Sequence, residues 1–108
     1  MLGILLGGMV GVISRWGIQV LAQSVWATLL INFLGSAAMA WVMTSLPESA
    51  FRLALTTGVL GGFTTFSAYS WDSVLLFSRG QWALGLAYFL GSPALGLLGA
   101  ALIYALRR

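Results

Sequence analysis

The chain has 108 residues, 60% of them hydrophobic and only 6% charged, which is more apolar surface than a soluble domain of this size can bury. Its net charge of +3 comes from arginines dispersed along the chain, so no basic patch indicates a nucleic-acid partner. Cys and His are absent from the sequence, which excludes disulfides, thiolate chemistry and imidazole metal ligands. We therefore predict an all-α protein embedded in the lipid bilayer, with residues 1–108 forming one transmembrane domain.

The first predicted transmembrane helix covers residues 2–21. Gly3, Gly7 and Gly11 recur at every fourth position, so they share one helix face and allow another helix to approach closely. Arg15 follows four residues later, near the end of the same face. The segment opens without basic residues, and we therefore interpret it as a membrane helix instead of a secretory signal peptide.

The second predicted helix covers residues 25–46 and carries polar side chains within an apolar segment. Asn32 is the clearest of these, and Thr28 lies four residues earlier on the same face. An amide in hydrocarbon is costly unless it is paired, so we expect Asn32 to face protein or water. Two roles remain open for it: a hydrogen bond between helices, or an N–H donor aimed at an anion.

The third predicted segment, residues 51–77, contains two glycines and two threonines between Gly61 and Thr65. Both residue types weaken a helix, so we predict a break in this region. Hydrocarbon cannot solvate the backbone groups that a break frees, and such groups must be buried in protein or line a polar path. As a straight helix the segment would reach about 40 Å, against a hydrocarbon core of about 30 Å.

Aromatic and hydroxyl side chains follow the predicted break at helical spacing, in a stripe that suits either a packing face or a pore lining. The stripe contains Phe66, Tyr69, Ser70 and Ser73. Asp72 is the one acidic residue within the apolar segments, and we expect it at the membrane interface, solvated or paired with an arginine.

The fourth predicted helix covers residues 82–106. Tyr88 and Ser92 share a face at i and i+4, and Pro93 removes one helical amide donor, which can free a carbonyl. A tyrosine hydroxyl needs a partner when it is buried, and for Tyr69 the candidates are Ser73 and Ser92.

The sequence contains no nucleophile–base pair, no carboxylate pair and no metal-ligand cluster, so we do not expect an enzyme. Most polar groups within the apolar segments are neutral donors and aromatic rings. This set suits a small anion, because hydroxyls and amides can replace its water and ring edges carry the positive part of the aromatic quadrupole. Arg15, placed near one mouth, would raise the local anion concentration.

The arginines are almost evenly divided between the two ends of the predicted bundle. Arg52, Arg107 and Arg108 fall on the side of the N-terminus, and Arg15 and Arg79 fall on the other. The difference of one arginine is a weak bias under the positive-inside rule, which allows insertion in both orientations and leaves a fixed orientation with a cytoplasmic N-terminus as the alternative.

Four motifs, in order and spanning essentially the whole chain, resemble the Fluc (CrcB) family of fluoride channels. They are GGMVGVISR at residues 7–15, TLLINFLGS at 28–36, GGFTTFS at 61–67, and Tyr88 with Ser92. The resemblance implies four transmembrane helices, an antiparallel dual-topology dimer with two pores, and passive export of cytoplasmic fluoride across a bacterial inner membrane. It also implies a structural Na⁺ at the dimer centre, held by backbone carbonyls that fall here at Gly61 and Gly62.

The resemblance also assigns roles to individual residues. Asn32 matches the pore asparagine, Phe66 the first pore phenylalanine and Arg15 the vestibule arginine. Ser67 matches the start of a hydroxyl track that continues at Ser92. The candidate pore residues are therefore Arg15, Thr28, Asn32, Phe66, Ser67, Tyr69, Tyr88 and Ser92.

Three positions depart from the pattern of this family. Tyr69 stands where the second pore phenylalanine is expected, Ala68 replaces a threonine, and Gly96 replaces a serine of the fourth helix. Tyrosine adds bulk beside the path, so we expect Tyr69→Phe to speed flux in a homodimer. These departures leave open whether the chain forms a homodimer or one half of a two-chain channel.

Two further classes of protein share this size and composition. A small multidrug-type exporter coupled to protons needs a carboxylate embedded in the first helix, but residues 2–21 contain no Asp or Glu. A purely structural membrane subunit is the second alternative. Fluoride efflux from liposomes that contain this chain alone separates these possibilities.

Overall fold

The computed structural model describes residues 1–107, which are all-helical apart from short connections. The elements are α1 (Leu2–Ala22), α2 (Val25–Ser45), α3 (residues 50–63), α4 (Phe66–Ser78) and α5 (Trp82–Arg107). Within α3, an α-helical turn (Ala50–Leu53) continues as a π-helix (Ala54–Leu60) and ends as a second α-helical turn (Gly61–Phe63). The predicted all-α class is confirmed, whereas the π-helix was not predicted.

Three helices of the described chain, α1, α2 and α5, are long and apolar enough to cross a membrane. Their bounds lie within one residue of the predicted segments 2–21, 25–46 and 82–106. The predicted segment 51–77 instead contains the two shorter helices α3 and α4, separated by Thr64 and Thr65. That this segment crosses the bilayer as a fourth span stays a prediction.

Hydroxyl side chains cap the starts of three helices. Ser24 accepts a hydrogen bond from the amide of Trp26 at the start of α2, and Ser49 accepts one from Arg52 at the start of α3. Thr65 accepts one from the amide of Ala68 at the start of α4. Each cap satisfies a backbone donor that the first turn of a helix leaves without an internal partner.

The helix α1 packs closely against α3 through glycine. A Cβ atom on Gly7 would lie 2.6 Å from the carbonyl oxygen of Ala54, and one on Gly58 would lie 2.9 Å from the carbonyl oxygen of Ile4. The two backbones can be this close only because neither residue carries a side chain. The spacing of Gly7 and Gly11 thus predicted a packing face correctly. We call the four residues Gly7, Gly11, Gly58 and Gly62 the glycine seam.

The helix α5 packs mainly against α2, and α4 packs against α5. The small interior of this half is aromatic and hydroxylic, with Tyr69, Tyr88, Thr28, Ser73 and Ser92 all buried. Large apolar side chains cover the outside of every helix, including Leu6, Leu90 and Leu97. This distribution, with large apolar side chains outside and hydroxyl groups inside, is typical of helices that face lipid or another apolar helix.

Candidate functional site

The helix break lies at Thr64 and Thr65, both of which have extended backbone conformations. The hydroxyl of Thr64 donates to the carbonyl of Leu60 at 3.0 Å, and Thr65 caps α4. Gly61, in contrast, has ordinary helical dihedral angles. The interruption therefore falls within the predicted region, but the threonines form it, while Gly62 allows α1 to approach α3.

Asn32 reaches from α2 to the break and pairs with both backbone groups of Thr65. Its side-chain nitrogen donates to the Thr65 carbonyl at 2.9 Å, and its side-chain oxygen accepts from the Thr65 amide at 2.8 Å. The structure thus gives Asn32 the helix-bridging role that the sequence left open. One of its two N–H groups remains for another partner, because a carboxamide nitrogen carries two hydrogens.

Arg15 also contacts the break. Its Nε donates to the carbonyl oxygen of Gly62 at 3.1 Å, which places the guanidinium group beside the end of α3. That Arg15 lies near a pore mouth stays a prediction. The carbonyl of Gly61 has no helical donor from Thr65, since the Thr65 amide is paired with Asn32. The two carbonyls thus differ in their hydrogen bonds. The carbonyl of Gly62 accepts a bond from Arg15, whereas that of Gly61 lacks the Thr65 amide as a donor.

Beside the break, the structure has a groove between α2, α4 and α5 that is open along one side of the molecule. It consists of two adjoining cavities of about 430 and 210 Å³. Asn32, Ser36 and Phe66 line both cavities, and Tyr69, Ser92 and Pro93 line the smaller one. The groove therefore brings together four of the predicted pore residues: Asn32, Phe66, Tyr69 and Ser92.

A ladder of aromatic rings leads from this groove into the interior. The ring centroid of Tyr69 lies 5.7 Å from that of Phe66 and 5.5 Å from that of Tyr88. Trp26 then meets Tyr88 edge to face at 6.4 Å. Phe66 is 79% exposed at the open end of the ladder, whereas Tyr88 is fully buried.

A third cavity, of about 460 Å³, lies at the turn between α1 and α2. The polar side chains in its lining include Gln19, Gln23, Thr28, Asp72 and Arg79. Thr28 therefore lies at this cavity and not in the groove. We call it the end cavity.

Asp72 connects the end cavity with the aromatic ladder. The hydroxyl of Tyr88 donates to a carboxylate oxygen of Asp72 at 3.1 Å. A tyrosine is thus the partner of the carboxylate that was expected to be solvated or paired with arginine. The two residues are 16 positions apart on different helices, so no local pattern in the sequence indicates the contact.

Three further hydroxyl groups near the break and the groove have identified hydrogen-bond partners. The hydroxyl of Ser67 lies 3.2 Å from that of Thr65, and the hydroxyl of Ser73 donates to the carbonyl of Tyr69. The hydroxyl of Tyr69 itself donates to the carbonyl of Phe89. The expectation that Ser73 or Ser92 would be the partner of this hydroxyl is therefore wrong, because the hydroxyl donates to a backbone carbonyl of α5.

The side chains that line the groove are uncharged. They supply amide and hydroxyl donors and aromatic ring edges, and neither Asp nor Glu is among them. Among the described residues no group of three potential metal-ligating side chains occurs. Such a surface can replace part of the hydration shell of a small anion.

Comparison with known proteins identifies the family. The family described as "CrcB-like protein, Camphor Resistance (CrcB)" matches residues 2–104. A protein of Methylobacterium sp. (strain 4-46) named "Fluoride-specific ion channel FluC" is 42% identical over 116 residues, covering 97% of this chain and 93% of that protein. A protein of Thermus thermophilus with the same name is 40% identical over 111 residues, covering 94% of this chain and 89% of that protein. A match of this extent, with relatives of this identity, shows that the chain belongs to the CrcB family.

Proposed function

We propose that this chain is a fluoride-specific ion channel through which fluoride leaves the cytoplasm passively. The relatives carry that name, and the family is one of ion channels and not of enzymes. The observation in this chain that carries the proposal is the uncharged, donor-lined groove beside the helix break. The groove holds no carboxylate that could exchange protons for the ion, and the carboxylate of Asp72 at the end cavity accepts a hydrogen bond from Tyr88, which together support passive transport.

The proposed path runs from the end cavity past Tyr88 and Tyr69 to the groove at Asn32 and Phe66. Hydroxyl and amide donors would replace the water of the ion, and ring edges would contact it where hydroxyls are lacking. The α4 helix starts at Phe66, so its N-terminal partial positive charge lies at the groove and supports an anion there. Fluoride holds its water more strongly than chloride, so a narrow path with many donors favours fluoride.

The experiment that tests this function is efflux from liposomes that contain the purified chain. Vesicles loaded with potassium fluoride are treated with valinomycin, and the released fluoride is measured with a selective electrode. We expect fluoride release without a proton gradient and little chloride release under the same conditions. Comparable chloride and fluoride flux, or a requirement for a proton gradient, would contradict the proposal.

We further propose that residues 50–78 form the fourth membrane crossing, and that two copies pair in antiparallel orientation. Together α3 and α4 would reach about 40 Å, which is enough to cross a hydrocarbon core of about 30 Å. The open groove and the 79% exposure of Phe66 favour a partner surface that closes over them. A homodimer is the simplest such partner, and a second homologous chain is the alternative. The membrane is then the inner membrane of a bacterium.

Phe66 tests whether the groove conducts. We expect Phe66→Ile to lower fluoride flux by at least about tenfold while dimers still form, because isoleucine fills space without a positive ring edge. Phe51→Ile is the matched control, since Phe51 is also exposed but lies outside the groove. Flux is measured by the electrode assay and assembly by chemical cross-linking in liposomes. Wild-type flux in Phe66→Ile would mean that the Phe66 ring is a packing residue and does not contact the ion.

A structural Na⁺ at the centre of the dimer is part of the same proposal. The carbonyl of Gly61 is suited to a cation. Its regular helical donor, the amide of Thr65, is bonded to Asn32 instead. The carbonyl of Gly62 fits less well, because Arg15 bonds to it and adds a positive charge nearby. When bound, the ion would satisfy carbonyls from both copies.

We expect the thermal unfolding temperature of the dimer to fall by several degrees when Na⁺ is replaced by N-methylglucamine at constant ionic strength. The reason is that an ion bound only by the folded dimer stabilises it by mass action. The measurement is a thermal melt in detergent, followed by size-exclusion chromatography. A melting temperature indifferent to Na⁺ would argue against the ion.

A further inference from the structure

Pro93 creates a vacancy in the hydrogen bonding of α5. In a continuous α-helix the amide of residue 93 would donate to the carbonyl of Phe89, four residues earlier. Proline has no amide hydrogen, and its ring crowds the same carbonyl. Pro93 lies inside α5, so the carbonyl of Phe89 lacks the amide donor that a regular α-helix would give it.

Tyr69, on α4, supplies a donor in its place. Its hydroxyl donates to the carbonyl oxygen of Phe89. The rings of the two residues are also stacked, with centroids 6.0 Å apart and planes inclined by 15°. Among the described residues, every buried side-chain nitrogen or oxygen has a hydrogen-bond partner, and this bond accounts for the phenol of Tyr69.

The bond also determines which part of Tyr69 an ion can meet. A phenol has one hydrogen to donate, and here that hydrogen is committed to a carbonyl. The remaining lone pairs on its oxygen would repel an anion. Since Tyr69 and Pro93 line the same cavity, the ring edge is the part of Tyr69 that is suited to an anion there.

We propose that Tyr69 and Pro93 are a matched pair, in which the tyrosine hydroxyl replaces the amide that proline lacks and thereby positions the tyrosine ring edge in the fluoride path. The inference rests on the proposed channel function. Tyrosine in place of phenylalanine at residue 69 is then a structural requirement of this α5 helix. The earlier expectation that Tyr69→Phe speeds flux is reversed, because Tyr69→Phe would leave a bare carbonyl oxygen beside an anion.

A double-mutant cycle tests the pair with four proteins: wild type, Tyr69→Phe, Pro93→Ala, and the double variant. Each is assayed for fluoride efflux and for thermal unfolding in detergent. With Pro93 present, we expect Tyr69→Phe to slow flux about fivefold or more and to lower the unfolding temperature, since the carbonyl of Phe89 loses the hydroxyl donor that replaces the missing amide. With alanine at residue 93, the helix supplies the amide, and Tyr69→Phe should change flux by less than about twofold.

Tyr104→Phe is the matched control, because Tyr104 lies on α5 and is largely exposed. It should leave both measurements unchanged. The pair is refuted if Tyr69→Phe speeds flux, or if it has the same effect in both backgrounds, since the hydroxyl would then serve another partner. If the wild type conducts no fluoride, the channel function fails, and the unfolding temperatures still decide whether the two residues are coupled.

Discussion

Asn32→Ala should abolish measurable fluoride flux and also destabilise the helix break. The substitution removes the partners of both the amide and the carbonyl of Thr65, which Asn32 now bonds at 2.8 and 2.9 Å. Each unpaired group in an apolar setting costs about 1–3 kcal/mol, so two such groups together lower the population of the competent conformation by at least about 30-fold. The measurement is efflux by fluoride electrode, together with a thermal melt in detergent.

Two companion variants separate the contributions of Asn32. Asn32→Asp retains an acceptor for the Thr65 amide but loses the donor and adds a negative charge, so we expect a better-folded protein that still fails to conduct fluoride. Thr44→Ala is the control on the same helix, because Thr44 bonds only to carbonyls of its own helix. If Asn32→Ala retained wild-type flux, the bridge would be dispensable and the path would lie elsewhere.

The second large effect is expected at Gly11, in the glycine seam. A Cβ atom there would overlap the carbonyl oxygen of Val59 and lie 2.8 Å from the amide nitrogen of Phe63. Both atoms belong to the backbone of α3, so no side-chain rotation can relieve the clash. We expect Gly11→Ala to cost about 3 kcal/mol, the upper part of the range for overpacking, and to displace the end of α3 next to the break.

Gly17→Ala is the matched control on α1, because a Cβ atom at Gly17 meets nothing within 4 Å. It should be neutral or stabilising by up to about 1 kcal/mol, since alanine favours the helix over glycine. Fluorescence-detected size-exclusion chromatography after graded heating measures both variants. Equal melting temperatures for Gly11→Ala and Gly17→Ala would show that α1 and α3 do not pack as described.

Sequence patterns with a local physical cause were sufficient to predict much of this fold. The bounds of α1, α2 and α5 follow from the length of apolar runs, and the position of the break follows from the weak helical preference of Thr64 and Thr65. The spacing of Gly7 and Gly11 predicted the face that α3 covers. In each case the pattern that carries the prediction is local in the sequence, although the partner of Gly7 and Gly11 lies far along the chain.

Features that depend on distant contacts could not be predicted in the same way. The bridge joins Asn32 to a residue 33 positions away, and Arg15 bonds a carbonyl 47 positions away. The π-helix of Ala54–Leu60 lies where α3 packs against α1, which no local propensity encodes. Pro93 did indicate a free carbonyl, but the sequence could not show that Tyr69 would be its donor.

The bridge made by Asn32 has a consequence for the order of assembly. A carboxamide side chain offers the same donor and acceptor as a peptide group, and here it meets the donor and the acceptor of one residue, much as a neighbouring strand would. The interrupted backbone at Thr65 is therefore saturated within a single copy, without water or a second chain. Each copy can therefore satisfy Thr65 before the proposed pairing, which has to provide a partner only for backbone groups such as the carbonyl of Gly61.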